Sequence, residues 1–138
     1  MAMHLGFIKN IAVTGKLPPV YPLLGGEHRF GYPFCRGRIF NEIEEDRGQY
    51  DDLADIFWAT GACIIIRADL FHNAGGFDAD FWAHMEEIDL CWRAFNKGYV
   101  AKYCGTSTVY HVGGATLEAG NPKKTYLNFR NSKRYILL

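Results

Sequence analysis

Three carboxylates stand at positions 86, 87 and 89 of a stretch that reads Met85-Glu86-Glu87-Ile88-Asp89-Leu90-Cys91-Trp92-Arg93. Two adjacent acids close to an aromatic pair, Phe81-Trp82, form a setting in which a partly sheltered carboxylate has its proton affinity raised. Such a group can remove a proton from a hydroxyl as a general base, an effect worth about 10²- to 10⁴-fold in rate. The competing explanation is electrostatic. Acids in the first turn of a helix gain about 0.3 to 1 kcal/mol from the macrodipole, and Asp89 with Arg93 makes an i, i+4 pair. A second chemical candidate is His111, which precedes Val112-Gly113-Gly114. An imidazole at a strand end serves either as a ligand or as an ordinary hydrogen-bonded group.

These residues need elements to hold them. From Glu86 to Lys97 the apolar positions Ile88, Cys91, Trp92 and Phe95 follow helical spacing, and Gly98 stands where the helix should stop. Ala62-Cys63-Ile64-Ile65-Ile66, led in by Thr60-Gly61, predicts a buried strand, and Ala68 to Ala74 a short helix ended by Gly75-Gly76. Tyr99 to Tyr103 and Thr106 to His111 read as two strands split by Gly105. Asn121-Pro122 opens a last amphipathic helix, with Tyr126, Phe129, Ile136 and Leu137 as its apolar side. Upstream, residues 1 to 34 carry four of the five prolines and read as a loop-rich lead-in with one short strand within Leu5 to Val13. Residues 35 to 55 are polar, with Glu42, Glu44, Glu45, Asp46, Asp51, Asp52 and Asp55 around Gly48; they read as a solvated acidic loop in preference to a metal site. The chain therefore divides into a lead-in over 1–55 and a structured part over 56–138.

Composition excludes several classes. With 49% hydrophobic and 15% aromatic residues in 138, the chain is built to fold around one core. Fifteen basic residues balance fifteen acidic ones, so no global field draws it to nucleic acid. Four cysteines with no C-x-x-C pair, and no apolar leader ahead of a cleavage site, favour a reducing, cytoplasmic setting. The longest apolar runs, such as 62 to 66, are too short to cross a bilayer.

Over roughly residues 56 to 131 the chain resembles the family 2 glycosyltransferases. The resemblance rests on an ordered set: Thr60-Gly61-Ala62-Cys63-Ile64-Ile65-Ile66-Arg67, then Gly75-Gly76-Phe77-Asp78, then Phe81-Trp82. Glu86-Glu87-Ile88-Asp89-Leu90-Cys91 and Val109-Tyr110-His111-Val112-Gly113-Gly114 complete it. It implies an α/β fold, a partial GT-A (Rossmann-like) domain with a mixed sheet and flanking helices. It also implies transfer of a sugar, with inversion, from a nucleotide-sugar to a hydroxyl of a glycan or lipid-linked acceptor, as in polysaccharide and cell-envelope synthesis. Work on a lipid-linked acceptor would bring the chain to the inner face of the cell membrane as a peripheral protein. In the family the second acid of the pair is the general base, here Glu87, and the first, Glu86, orients it. Glu87 stands where aspartate is commoner and reaches one methylene further. Trp58, Thr60, Gly61, Ala62 and Asp89 correspond to the substrate pocket, and Lys123, Lys124 and Arg130 would offset charge on the leaving diphosphate. His111 would help hold a divalent cation, Mn²⁺ in preference to Mg²⁺ because imidazole suits manganese better.

Asp78-Ala79-Asp80 spells the Asp-x-Asp with which such enzymes grip their cation, but it stands just before the acidic helix instead of far upstream, and is read as a decoy. The first aspartate of the chain is Asp46, so nothing earlier can supply that motif. The expectation is that the sugar-nucleotide half is missing, which leaves a rival reading: a non-catalytic part, or an acceptor-binding subunit that needs a separate nucleotide-binding half. A further rival is a zinc module built from Cys35, Cys63, Cys91 and Cys104 with His28, His84 or His111. Against it, Cys63 and Cys91 occupy positions where cysteine serves as a small buried hydrophobe.

Overall fold

A computed structural model describes residues 42–107, 109–112, 117 and 120–136, together with the short segments 5–8, 15–16 and 38–39. The strands are β1 (Leu5–Ile8), β2 (Gly15–Lys16), β3 (Arg38–Ile39), β4 (Glu42–Ile43), β5 (Leu53–Ile56), β6 (Tyr99–Cys104) and β7 (Val109–Val112). The helices are α1 (Ala68–Asn73), α2 (Glu86–Asn96) and α3 (Pro122–Ile136), with a single 3₁₀ turn at Ala79–Phe81. β6 lies between β2 and β5, β1 pairs with β7, and β3 with β4. Every ladder among the described residues is antiparallel, where a mixed sheet was expected.

The expected strand at 62–66 does not form. Thr60 to Cys63 closes a turn, the Cys63 amide donating to the Thr60 carbonyl at 3.1 Å, and the residues after it run on to α1 with no sheet partner among the described residues. On the side of β6 away from β2 the partner is β5, which came from the acidic stretch and crosses the boundary drawn at 55/56. Its charge concealed it: Asp55 sits opposite Lys102 in the ladder and is ion-paired to it, so the acid is neutralised across the strands. Ile56, Ala59 and Tyr103 pack into one core cluster, and Leu70, Ala74 and Leu90 into a second against α2.

Gly105 joins β6 to the turn that follows it, and it is buried. Its amide donates to the Asp52 carbonyl at 2.8 Å, and a Cβ there would overlap the carbonyl group of Tyr50 and approach Asp51 Cα to 2.7 Å. Backbone atoms cannot swing aside as a side chain can. Gly105→Ala is therefore expected to destabilise the fold by about 1–3 kcal/mol, as overpacking does, read as a lower denaturant midpoint; an unchanged midpoint would mean the two segments are not held this close.

α3 starts as its sequence indicates, with Asn121 Oδ1 accepting from the Lys123 amide at 2.9 Å and Pro122 in the first turn. Its buried side is not the expected one. Tyr126 and Phe129 are exposed, 62% and 69%, while Leu127 and Asn131 face inward. A polar residue occupies the core position because the neighbouring loop needs its hydrogen bonds.

Candidate active site

α2 is entered through an unusual backbone. Trp82, His84 and Met85 have φ of 62°, 69° and 72°, three non-glycine residues in the left-handed half of the map within four positions. Such residues cost about 1–3 kcal/mol each and persist only where the surroundings enforce them. Here the enforcement comes from α3. Asn131, fully buried, donates through Nδ2 to the carbonyls of Phe81 (3.0 Å), Ala83 (2.9 Å) and His84 (2.6 Å). Arg130 donates through Nη2 to the carbonyls of Asp80 and Phe81, both at 2.8 Å. Arg134 pairs with Asp80 at 2.8 Å. The Asp-x-Asp is part of this fastening: Asp78 Oδ1 accepts from the Asp80 amide at 2.9 Å, capping the 3₁₀ turn.

Met85 then delivers Glu86 and Glu87 as the first two residues of α2. One carboxylate oxygen of each, Oε2, is buried with no hydrogen-bond partner among the described residues. Trp58 Nε1, His84 Nε2 and Trp92 Nε1 share that condition. Native structures rarely leave buried polar atoms unpaired, and two neighbouring carboxylates left so are suited to a ligand that brings hydroxyls. The Thr60–Cys63 turn lies against Glu87, for a Cβ on Gly61 would stand 3.6 Å from Glu87 Cβ and 3.8 Å from its Cδ.

Burial pushes the Glu87 carboxyl above the ordinary glutamate range, and the charge of Glu86 adds to that; the amides of Glu87 and Gly61 pull the other way without cancelling it. A helix N-terminus ordinarily favours a carboxylate's charged form, so here burial outweighs the helix. Beneath, burial raises the Cys91 thiol to about 11, with Glu87 and Asp89 contributing, so Cys91 is an inert core thiol.

The other sequence candidates separate. Trp58 and Thr60 are half-buried, and the Thr60 hydroxyl faces the Ala62 amide at 3.4 Å, inside the turn. Asp89 does not join the two glutamates: it is 1% exposed and its Oδ2 is taken by Arg93 Nε (2.9 Å) and Nη2 (2.5 Å), the pair foreseen from spacing. Arg93 also donates to the carbonyls of Ala74 and, at 2.8 Å, Gly76, so the pair ties the Gly75-Gly76 turn to α2. Arg130, expected to face a diphosphate, is engaged by the 80–81 carbonyls. Lys123 Nζ lies 3.9 Å from the centre of the exposed Trp82 ring, and Lys124 is half-buried. His111 falls on β7 opposite Gly6 of β1; its side chain is outside the described residues. Among the described residues no three His, Cys, Asp or Glu side chains lie together as a metal site would require.

Sequence reasoning missed Asn131 and Arg134. The signal was present: Asn131 stands one helical turn after Leu127, an amide at a core position, where only a demand for hydrogen bonds would keep it.

The chain is 28% identical over 114 residues to N-acetylglucosaminyl-diphospho-decaprenol L-rhamnosyltransferase of Mycobacterium tuberculosis, in strain CDC 1551 / Oshkosh and in strain ATCC 25618 / H37Rv. The match covers 83% of this chain and 36% of each relative, so the chain spans about a third of the length of these curated relatives. No protein-family model matches it, and no solved structure matches it. Among the described residues no helix is long and apolar enough to cross a membrane. Over most of its length the chain is thus similar to one part of a rhamnosyltransferase.

Proposed function

We propose that this chain forms the acceptor side of a family 2, GT-A type glycosyltransferase, with Glu87 as the general base. The reading rests on one observation above the others: the buried Oε2 of Glu87, which has no hydrogen-bond partner among the described residues, beside Gly61 and with Glu86 next to it. The acceptor hydroxyl gives its proton to Glu87 as its oxygen bonds to the anomeric carbon of the sugar. The bond from that carbon to the nucleotide's diphosphate breaks, and the diphosphate leaves with the electron pair on the opposite face, inverting the centre. Glu86 raises the proton affinity of Glu87 through its charge. In this reading the Trp58 indole N–H, buried with no partner among the described residues, donates to the acceptor, and the missing side chain of Gly61 leaves it room. Lys123 and Lys124, at the start of α3, offset the charge that develops on the diphosphate. A divalent cation, Mn²⁺ in preference to Mg²⁺, would offset the charge of the leaving diphosphate with His111 as one of its ligands; the described residues do not by themselves assemble the full set.

The name of these relatives specifies an L-rhamnosyl group and an N-acetylglucosaminyl-diphospho-decaprenol acceptor. A rhamnosyl nucleotide and a polyprenyl-diphosphate sugar are therefore the first substrates to try. Because the match covers 36% of each relative, a second reading is an acceptor-binding part that acts together with a nucleotide-binding half. Titrating the chain with a short-chain polyprenyl-diphosphate N-acetylglucosamine, followed by ¹⁵N NMR, tests what both share. Shifts are expected at the Trp58 indole, Thr60 to Ala62, and Glu86 and Glu87. Saturating acceptor with no shift at these positions would rule out the acceptor site in either reading.

A further inference from the structure

The positive-φ segment before α2 and the buried amide that holds it point to a residue with a role in the reaction although it lies on another element. We propose that Asn131 is a positioning residue for the Glu86–Glu87 pair, acting through the backbone of residues 81–85 and touching neither carboxylate. The proposal rests on the transfer reading above.

A primary amide has two N–H groups, and Asn131 Nδ2 lies within 3.0 Å of three carbonyl oxygens, those of Phe81, Ala83 and His84. One of these carbonyls precedes Trp82 and another precedes Met85, so the fastening spans the residues whose φ is positive. The amide cannot flip, because its Oδ1 accepts from Arg130 Nε at 2.8 Å, and that same guanidinium is anchored to Asp80 and Phe81. With the amide fixed at both ends and fully buried, the carbonyl directions of 81, 83 and 84 are set from α3. Met85, N-cap of α2, follows with no side-chain cap of its own, so the helix start is oriented by the incoming chain. Glu86 and Glu87 come next. Rotation of that first turn would carry the Glu87 carboxylate away from Gly61 and toward water, relieving the burial that raises its proton affinity. Stability alone would not demand this geometry, because three ordinary residues in an extended or helical entry would avoid the strain.

The test compares Asn131→Ala, Arg130→Gln and Leu127→Ala by following the Glu87 side-chain carboxyl with ¹³C NMR. Leu127 shares the buried side of α3, and its hydrocarbon side chain makes no hydrogen bond to the loop, so its truncation removes packing alone. In Asn131→Ala the Glu87 titration is expected to fall toward the ordinary glutamate range, with amide shifts concentrated at 82–87. Arg130→Gln, which keeps the amide but frees its orientation, moves the same signals less, and decides the matter if Asn131→Ala does not fold. Leu127→Ala lowers the unfolding midpoint and leaves the titration in place. An unmoved Glu87 in both loop variants, or an equal movement in Leu127→Ala, overturns the proposal. Where turnover is measured, Asn131→Ala lowers kcat by about tenfold or more with acceptor KM little changed, the mark of a misplaced base. A wild-type chain that shows no transfer even when combined with a nucleotide-binding half would defeat the transfer reading alone, because the titration arm does not depend on turnover.

Discussion

Replacing Glu87 with glutamine is expected to slow sugar transfer by about 10²- to 10⁴-fold, the range a positioned general base contributes, with acceptor affinity retained. Glutamine keeps the size and one carbonyl oxygen of the side chain but cannot accept the hydroxyl proton. The same change should alter stability in a pH-dependent way whose sign follows from the raised proton affinity. A carboxyl that protonates more readily folded than unfolded stabilises the fold below its unfolded pKa of about 4.5, and that stabilisation is lost as pH rises through the folded value. Wild type and Glu87→Gln therefore unfold at similar temperatures in acid, and the variant becomes the more stable of the two at higher pH. Loss of activity together with a gain in stability separates a functional carboxylate from a structural one. A variant less stable than wild type above that window would place Glu87 among the fastenings instead.

The largest stability effect is expected at Arg93. Its guanidinium is the partner of Asp89, which is 1% exposed, and it also satisfies the carbonyls of Ala74 and Gly76. Arg93→Met leaves a buried carboxylate without its counter-charge, and breaking such a pair costs about 3–5 kcal/mol. Pairing it with Asp89→Asn removes the orphaned charge, so the double variant should be more stable than Arg93→Met, a non-additivity that denaturant unfolding measures directly. A double variant as unstable as the single would mean that the lost bonds to the 74–76 turn, not the stranded charge, dominate. The experiment also bears on the site, because Asp89 belongs to the same acidic motif as the two glutamates and yet does a different job.

How far the sequence could be read depended on whether the deciding force was local. The period of α2, its stop at Gly98 and the Asp89–Arg93 pair all follow from spacing along one helix, and all were legible. The Gly75-Gly76 stop of α1 was legible for the same reason. β5 was not, because its charged residue is neutralised by Lys102 from a strand 47 residues away, and composition alone marked the stretch as solvated. The run Ala62 to Ile66 misled in the opposite way: its alternation is real, with Ile65 exposed at 61% between half-buried Ile64 and Ile66, but it begins in a turn and has no sheet partner among the described residues. In the candidate site the pair Glu86–Glu87 and the adjoining Thr60-Gly61-Ala62 turn were found from motifs, and the structure brings them together. The Asn131 fastening was not found, since the strain it offsets lies in φ angles that Trp82, His84 and Met85 do not advertise by residue type. Arg130 was read as a phosphate ligand because a basic residue on a helix looks available until the carbonyls it serves are seen.

The claim on which the account turns is that Glu87 is a shielded carboxylate held ready for a proton. Following its side-chain carboxyl by ¹³C NMR from acid to mildly alkaline pH, with Glu87→Gln to assign the signal, tests that claim most directly. The account predicts a titration midpoint above the ordinary glutamate value of 4.5, moving closer to ordinary when Glu86 is replaced by glutamine. A midpoint at or below 4.5, indifferent to Glu86, would contradict it.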